Sequence, residues 1–301
     1  MPFLTVFTPV YNRAYIITKL YDSLCRQTCD DFEWLVVDDG STDNIAKLVE
    51  EAASANDELM EKFIADGKVR IRYFKQANGG KHRAINRGVS EASGRMFFIV
   101  DSDDHLTDKA VEWAIGKSRE IIDNPDFAGI SGLRIKPDGS KIGGENDFSI
   151  IDADAIEIRT RYGVTGDLAE IYKTDVLRRF PFPDFPGEKF CSEGLIWNRI
   201  AMTGARLRYC YEGIYVCEYL GDGLTAGRVK CRRESPEYSM LLYAEALKNP
   251  AISLKTKIKY AILFWRYGEK SKKSFFSKAK MIHPIYLTLA PVGIIIRKLK
   301  R

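Results

Sequence analysis

None of the 301 residues belongs to an apolar run of 18 or more, the length that a membrane-spanning helix needs. The six cysteines, Cys25, Cys29, Cys191, Cys210, Cys217 and Cys231, never fall in Cys-x-x-Cys spacing. This argues against a zinc knuckle or a disulfide framework and for reduced, mostly buried thiols. No repeat of fixed period runs along the chain, which argues against a solenoid or propeller. Glycine (23) and proline (11) stay near average usage, so collagen-like and low-complexity architectures are excluded. The N-terminus has no basic stretch followed by an apolar one and a small-residue cleavage site, and the expected location is the cytoplasm. What is present is ordinary globular composition, 45% hydrophobic and 29% charged, enough for one large domain or a domain with an appendage.

The net charge of +5 hides two regions of opposite sign. From residue 228 onward there are 18 Lys or Arg against 4 Glu and no Asp, a net of +14; residues 1–227 carry a net of −9. A basic appendage calls for an anionic partner. Within it Leu254, Ile258, Ile262 and Trp265 recur on one helical face, with Lys255, Lys257 and Lys259 on much of the rest. Pro284 and Pro291 interrupt the last apolar segment, which is too short to span a bilayer. Two arrangements fit. The region lies on an anionic membrane surface, which is the expectation, or it packs as a helical subdomain on the rest of the chain. Nucleic acid is not expected, since no recognisable binding motif accompanies the charge.

The first hundred residues alternate β-rich apolar runs (4–10, 32–37, 69–74, 96–100) with helical stretches (16–26, 45–53, 83–92), the pattern of βαβ units and a parallel sheet. Each run ends in polar residues. Ligands bind beyond the carboxyl ends of such strands, so Tyr11-Asn12-Arg13, Asp38-Asp39-Gly40-Ser41 and Asp101-Ser102-Asp103-Asp104 are expected to share one crevice. The pattern then loosens. A strand is expected over 127–135, helices over 173–179 and 194–202, and strands over 207–211 and 214–219 joined through Glu212-Gly213.

Asp38 and Asp39 have two readings: part of a turn and helix cap built with Gly40, Ser41, Thr42 and Asp43, or, because adjacent carboxylates repel, donor-seeking groups for a base edge or ribose hydroxyl. The second is favoured. Asp101, Asp103 and Asp104 invite a hard divalent cation, Mg²⁺ or Mn²⁺. Asp152-Ala153-Asp154 repeats the spacing without the context and reads as a solvated loop. Between these sites Gly79-Gly80 opens a basic segment with Lys81, His82 and Arg83, which reads equally as an anion site at a helix N-terminus or as a solvated basic helix. His82 by itself reads as a surface histidine.

In order, Thr8-Pro9-Val10-Tyr11-Asn12-Arg13, Val37-Asp38-Asp39-Gly40-Ser41-Thr42-Asp43, Asn78-Gly79-Gly80 with Ala84, Asn86 and Gly88, and Val100-Asp101-Ser102-Asp103-Asp104 resemble the motifs of family 2 glycosyltransferases of GT-A fold. The resemblance covers roughly residues 1–110 and continues less tightly to about 227. It implies an α/β fold, a Rossmann-like, mixed but mainly parallel sheet flanked by helices. The catalytic domain would be 1–227, with a nucleotide-sugar-binding half at 1–110 and an acceptor-binding half at 111–227, followed by the basic helical appendage at 228–301. The implied activity is transfer of a hexosyl or N-acetylhexosaminyl group, with inversion, from a nucleotide sugar, a UDP-sugar, to an acceptor hydroxyl. The implied acceptor is a saccharide or lipid-linked saccharide of surface polysaccharide synthesis, met at the inner face of the cell membrane.

By the same resemblance Pro9, Tyr11, Asn12, Arg13, Asp38, Asp39, Gly80, Lys81, Asn86, Asp101 and Ser102 would hold the donor, with Asp39 touching the base. Asp101 and Asp103 correspond to the Asp-x-Asp element, Asp103 being the direct ligand of Mn²⁺ or Mg²⁺, and Lys81 or Arg83 would assist the leaving diphosphate. The family tends to carry an acidic pair at a helix start in its second half, whereas here Glu193 is followed by Gly194. Glu193 is the first choice of general base and Glu188 the second; an acid that merely favours a helix N-terminus is the alternative. Asp167 and Glu170 are further candidates for the acceptor side. Two rivals stand beside this reading. One is a catalytically silent nucleotide-sugar-binding subunit, kept open by the missing second acid. The other is a sugar-1-phosphate nucleotidyltransferase, which would show a Gly-rich basic loop where Tyr11-Asn12-Arg13-Ala14 stands.

Overall fold

The structure, a computed structural model, describes residues 1–45, 70–144, 147–218 and 224–299. Nine strands among them form one mixed sheet: β1 (Leu4–Val10), β2 (Phe32–Asp38), β3 (Arg70–Lys75), β4 (Met96–Ile99), β5 (His105–Leu106), β6 (Phe127–Ile135), β7 (Ile150–Ala153), β8 (Leu168–Lys173) and β9 (Arg206–Val216). Their order is β3-β2-β1-β4-β8-β6-β9-β5, with β7 paired to β9. Strands β3, β2, β1 and β4 are parallel, and β8 joins β4 antiparallel. The chain steps outward from β1 to β3 and then returns to the other side of β1 as β4. Strand order therefore reverses between β1 and β4, the point where an open α/β sheet leaves a crevice at its carboxyl edge.

Alternation along these strands builds two cores. Val6, Trp34 and Phe98 enter the cluster on one face, and their neighbours Phe7, Leu35 and Phe97 enter the cluster on the other. Helices α1 (Ile17–Cys25) and, later, α3 (Ala110–Arg119) cover the first face through Leu20, Leu24, Val111 and Ala114. The second is covered by α2 (Lys81–Glu91), α4 (Glu157–Thr160), α5 (Thr174–Arg179) and α6 (Gly194–Ala201) through Ile85, Ile158, Val176 and Leu195. Helix α2 lies close on β1 because residue 88 has no side chain: a Cβ there would stand 2.2 Å from the Phe7 ring.

The expected helix over 45–53 lies outside the described residues from 46 on. The two strands expected around Glu212-Gly213 are instead one strand, β9, which pairs parallel to β6 with register shifts near Leu133 and Gly213. The glycine marks a bulge in a long strand and not a hairpin turn. Asp152-Ala153-Asp154 is not a solvated loop: Asp152 is held on β7 by both Nε and Nη2 of Arg208 at 2.9 Å, and Asp154 accepts from the N–H groups of Ile156 and Glu157. All six thiols are unpaired; Cys191, Cys210 and Cys217 are buried and the others half-buried.

The C-terminal region comprises α7 (Leu224–Glu234), α8 (Pro236–Lys248), α9 (Leu254–Gly268), α10 (Phe275–Ala279), a 3₁₀ turn (Pro284–Leu289) and α11 (Ala290–Leu299). Helix α8 ties it to the sheet. Its Tyr238 is buried in the second sheet cluster, while Met240, Tyr243 and Leu247 belong to a separate cluster with Phe264 and Trp265 of α9. On α9 the buried positions are Ala261, Phe264, Trp265, Tyr267 and Gly268, whereas Leu254 (70%) and Ile258 (41%) are exposed. The packed stripe is thus offset from the expected one, because α8 covers the aromatic half of the helix and leaves its first turns uncovered.

Candidate active site

The three strand ends do converge. Pro9 at the end of β1 and Tyr11 just after it, Asp39 after β2, and the segment 101–104 after β4 line one cavity of about 1000 Å³, closed on the far side by residues of 187–194, β8 and the start of α6. Asn12, Arg13, Gly80, Lys81, Asp101, Ser102, Asp103 and Glu193 are also on its wall. Asn12 adopts φ 52° and accepts from the N–H of Thr42 at 2.8 Å, while its own N–H donates to the Ser41 hydroxyl, so the β1 and β2 turns are stitched together.

Asp38 lies beneath this wall and not on it. It is fully buried, one carboxylate oxygen accepting from the Ser41 N–H at 2.7 Å and the other from the Tyr73 hydroxyl at 2.7 Å. Its role is to hold the turn that aims Asp39, the turn of the first reading; the helix to be capped lies outside the described residues from 46 on. Asp39 reaches the cavity, yet its carboxylate is saturated: Oδ1 accepts from Gln76 and the Gly79 N–H, Oδ2 from Asn78 and the Gly80 N–H. In this conformation it fixes the glycine turn and has no lone pair left for a base edge. Gly80 has φ 98°, and a Cβ on it would lie 2.0 Å from the Lys189 carbonyl oxygen, so only glycine lets the 187–193 segment close over the turn. Lys189 donates to Asn78 at 2.6 Å across the same junction.

Lys81, the first residue of α2, joins both halves of the site. Its Nζ stands 2.5 Å from Asp101 Oδ1 and 2.8 Å from Glu193 Oε1. Burial works against its charge, but the two carboxylates outweigh that and hold its pKa well above the lysine range. Asp101 is held low in turn: burial opposes ionisation, and Lys81 and Arg134 prevail. Asp103 differs. Burial and then the charge of Asp101 push its pKa up, and no side chain pairs with its carboxylate among the described residues. Asp104 is pushed up to about 7 by burial and by Asp101, and accepts from the Tyr215 hydroxyl at 2.8 Å. Glu170 on β8, also on the wall, is raised to about 7 by burial.

Four assignments change. Glu188 is not in the cavity: 7% exposed, it accepts from the N–H groups of Glu237 (2.8 Å) and Tyr238 (3.0 Å) and caps α8. Asn86 is spent on a reciprocal amide pair with the backbone of Phe182, both bonds 2.9 Å. Arg83 binds Asp184 and the carbonyls of Phe185 and Glu188, not the cavity. His82 is 1% exposed, its Nε2 2.8 Å from the Tyr238 hydroxyl, and burial with the Arg83 charge lowers it to about 4. Replacing Glu188 with Ala removes a cap and is expected to lower unfolding free energy by about 1–2 kcal/mol in urea titration while leaving UDP affinity unchanged.

Arg134 was not foreseen. It faces Asp101 at 3.8 Å and Asp104 at 3.9 Å from the end of β6, its guanidinium 4.2 Å from the Tyr215 ring centroid. The available signal was an arginine at the carboxyl end of an otherwise apolar strand. A carboxylate such as Asp103, with hard oxygen donors and no ion pair among the described residues, suits a divalent metal that completes its coordination with diphosphate oxygens and water. Among the described residues no three ligating side chains converge, and Asp101 is engaged by Lys81.

A mixed sheet with this reversal in its parallel half, an acidic strand end and a glycine turn opening a helix define a fold of the GT-A type. Residues 5–141 match the model of one family, Glycosyl transferase family 2. Over 144 residues the chain is 31% identical to the chondroitin synthase of Pasteurella multocida, covering 47% of this chain and 13% of that one. It is 34% identical over 107 residues to the uncharacterized glycosyltransferase EpsJ of Bacillus subtilis, 36% of this chain and 28% of that one. The chain thus matches only a fraction of the length of these relatives. In three dimensions it resembles residues 1–349 of Staphylococcus aureus TarS in complex with UDP-GlcNAc, at TM-score 0.64 and 18% identity over 96% of this chain and 84% of that one. It also resembles the mannosyltransferase PcManGT of Pyrobaculum calidifontis in complex with GDP-Man and Mn²⁺, at TM-score 0.54 and 18% identity over 99% and 86%. At such identities the structural likeness is one of fold. No helix among the described residues is long and apolar enough to cross a membrane.

Proposed function

We propose that the protein is an inverting glycosyltransferase that takes a hexosyl or N-acetylhexosaminyl group from a UDP-sugar to a hydroxyl of a lipid-linked saccharide in surface polysaccharide synthesis. The observation that carries this reading is the shared wall of Lys81, Asp101, Asp103 and Glu193, where a glycine turn at a helix N-terminus, an unpaired carboxylate and a candidate base face one cavity. The N-terminal dipole of α2 and Lys81 favour a diphosphate there. Tyr11, 49% exposed, and Pro9 offer an apolar surface for the base. Glu193, at the start of α6, would take the acceptor proton as the hydroxyl attacks the anomeric carbon opposite the leaving diphosphate, so configuration inverts without a covalent intermediate. Asp103 would hold Mn²⁺ or Mg²⁺, which supplies positive charge for the leaving group. The division into 1–227 and 228–301 belongs to the same proposal, with α8 as the element that spans it.

The silent-subunit reading has one observation in its favour: Glu193 is tied to Lys81 and has no second acid behind it. Calorimetric titration of UDP, with and without Mn²⁺, tests the site. In the wild type the metal is expected to tighten UDP by tenfold or more, and in Asp103→Ala to have no effect. Absence of UDP binding under both conditions would reject a uridine site, and UDP binding without transfer or donor hydrolysis would favour the silent subunit.

A further inference from the structure

We propose that the uncovered face of the C-terminal helices is a docking surface for an anionic lipid bilayer, with Phe276 and Ile285 as its inserting side chains. This rests on the proposed lipid-linked acceptor. Six large apolar side chains of these helices are exposed: Leu254 (70%) and Ile258 (41%) on the first turns of α9, and Phe275 (53%), Phe276 (78%), Ile285 (65%) and Ile295 (54%) on the elements that follow it. Isolated exposed apolar residues are normal on any protein, but a group of them within one small helical region is not.

The group has a rigid support. Phe275 stacks on the buried Trp265 ring, centroids 5.3 Å apart, and the Trp265 indole N–H donates to the Tyr286 carbonyl at 3.1 Å. Residues 275 and 276 and the turn that carries Ile285 are thereby fixed at one end of α9, so presenting their side chains outward costs no ordering on docking.

Charge selects the occupant. Lys255, Lys259, Lys270, Lys272 and Lys280 of the same helices and connections are exposed as well. Two of the region's four acidic side chains are spent inside the fold, Glu245 on Arg199 at 2.8 Å and Glu237 on Lys273 and Ser271; Glu234 lines the cavity, and Glu269 is the one exposed acid among these lysines. A surface both apolar and strongly positive fits lipid headgroups of negative charge, where aromatic and aliphatic tips enter the acyl boundary and lysine stems lie along it. A second copy of this chain would bring the same positive charge and be repelled. The geometry also suits a lipid-borne acceptor, since Cys231, Glu234 and Ser235 of this region form part of the cavity wall.

The test is co-sedimentation of the full chain with vesicles of phosphatidylcholine alone and with about a third phosphatidylglycerol. The expected result is binding to the anionic vesicles only, weakened at least tenfold by 0.5 M salt and at least tenfold in the double variant Phe276→Ser, Ile285→Ser. These residues lie outside the cavity, so the variant keeps wild-type UDP affinity, which also reports that it is folded. Equal partition to both vesicles, no binding to either, or a concentration-dependent dimer that the double variant dissolves would overturn the proposal. Failure of UDP binding with vesicle binding intact would instead reject the uridine site and leave the docking surface standing.

Discussion

A Glu193→Gln protein is expected to bind UDP as the wild type does and to transfer sugar about 10²–10⁴-fold more slowly, the span that loss of a positioned acid–base group covers. The amide keeps the shape and the place at the start of α6 but surrenders charge and basicity. Lys81 keeps its contact with Asp101 in the variant, so the diphosphate side of the cavity is preserved. The competing carboxylate is Glu170, which shares the cavity wall and is raised to about 7 by burial. A base with that pKa is half ionised near neutrality, and transfer through it would rise with pH until about 7 and then level. If Glu170→Gln, and not Glu193→Gln, collapses kcat and removes that limb, the base lies on β8. If neither changes kcat, proton removal by either group is ruled out.

The N-terminal sheet was legible because each strand there carries its own signal. Leu4–Val10 and Phe127–Ile135 were read with the bounds they have, since apolar β-branched runs bounded by polar residues have little other way to pack. β9 was misread because Gly213 resembles a turn in one dimension, while its pairing with a distant strand, β6, decides the matter. The stripe on α9 was offset for a similar reason. Periodicity gave a face, but only the position of α8 determines which arc is covered.

Within the site the motifs located the crevice and not the duty of each residue. Asp38 and Asp39 are adjacent carboxylates of the same strand end, yet one closes a turn and the other fixes Gly79 and Gly80; their donors Tyr73 and Gln76 lie more than thirty residues away. Glu188 and Glu193 are five residues apart in one segment. The first caps a helix of the C-terminal region and the second faces the cavity, a distinction made by α8, whose position no local pattern encodes. Lys81 was read as one of several basic residues on a helix, and its bridging of Asp101 to Glu193 depends on the meeting of three separate elements.

That bridge sets the second large effect. In Lys81→Met, Asp101 and Glu193 lose their shared cation while Asp103 stays nearby, so three carboxylates on one wall would repel one another and any diphosphate. UDP affinity is expected to fall tenfold or more and kcat/KM about 10²–10³-fold, the range found when a charge-stabilising group is removed from a reacting site. Stability should fall as well, by less than the loss of a fully buried partner brings, since the Lys81 side chain is 24% exposed and water can reach Asp101. Lys81→Arg keeps the charge but replaces a compact ammonium with a planar fork. It should therefore recover UDP affinity more fully than turnover, because affinity needs only the charge, whereas turnover needs Glu193 held in place. If Lys81→Met binds UDP as the wild type does, the cation belongs to the scaffold, and the diphosphate must be held by the N-terminal end of α2 without its lysine.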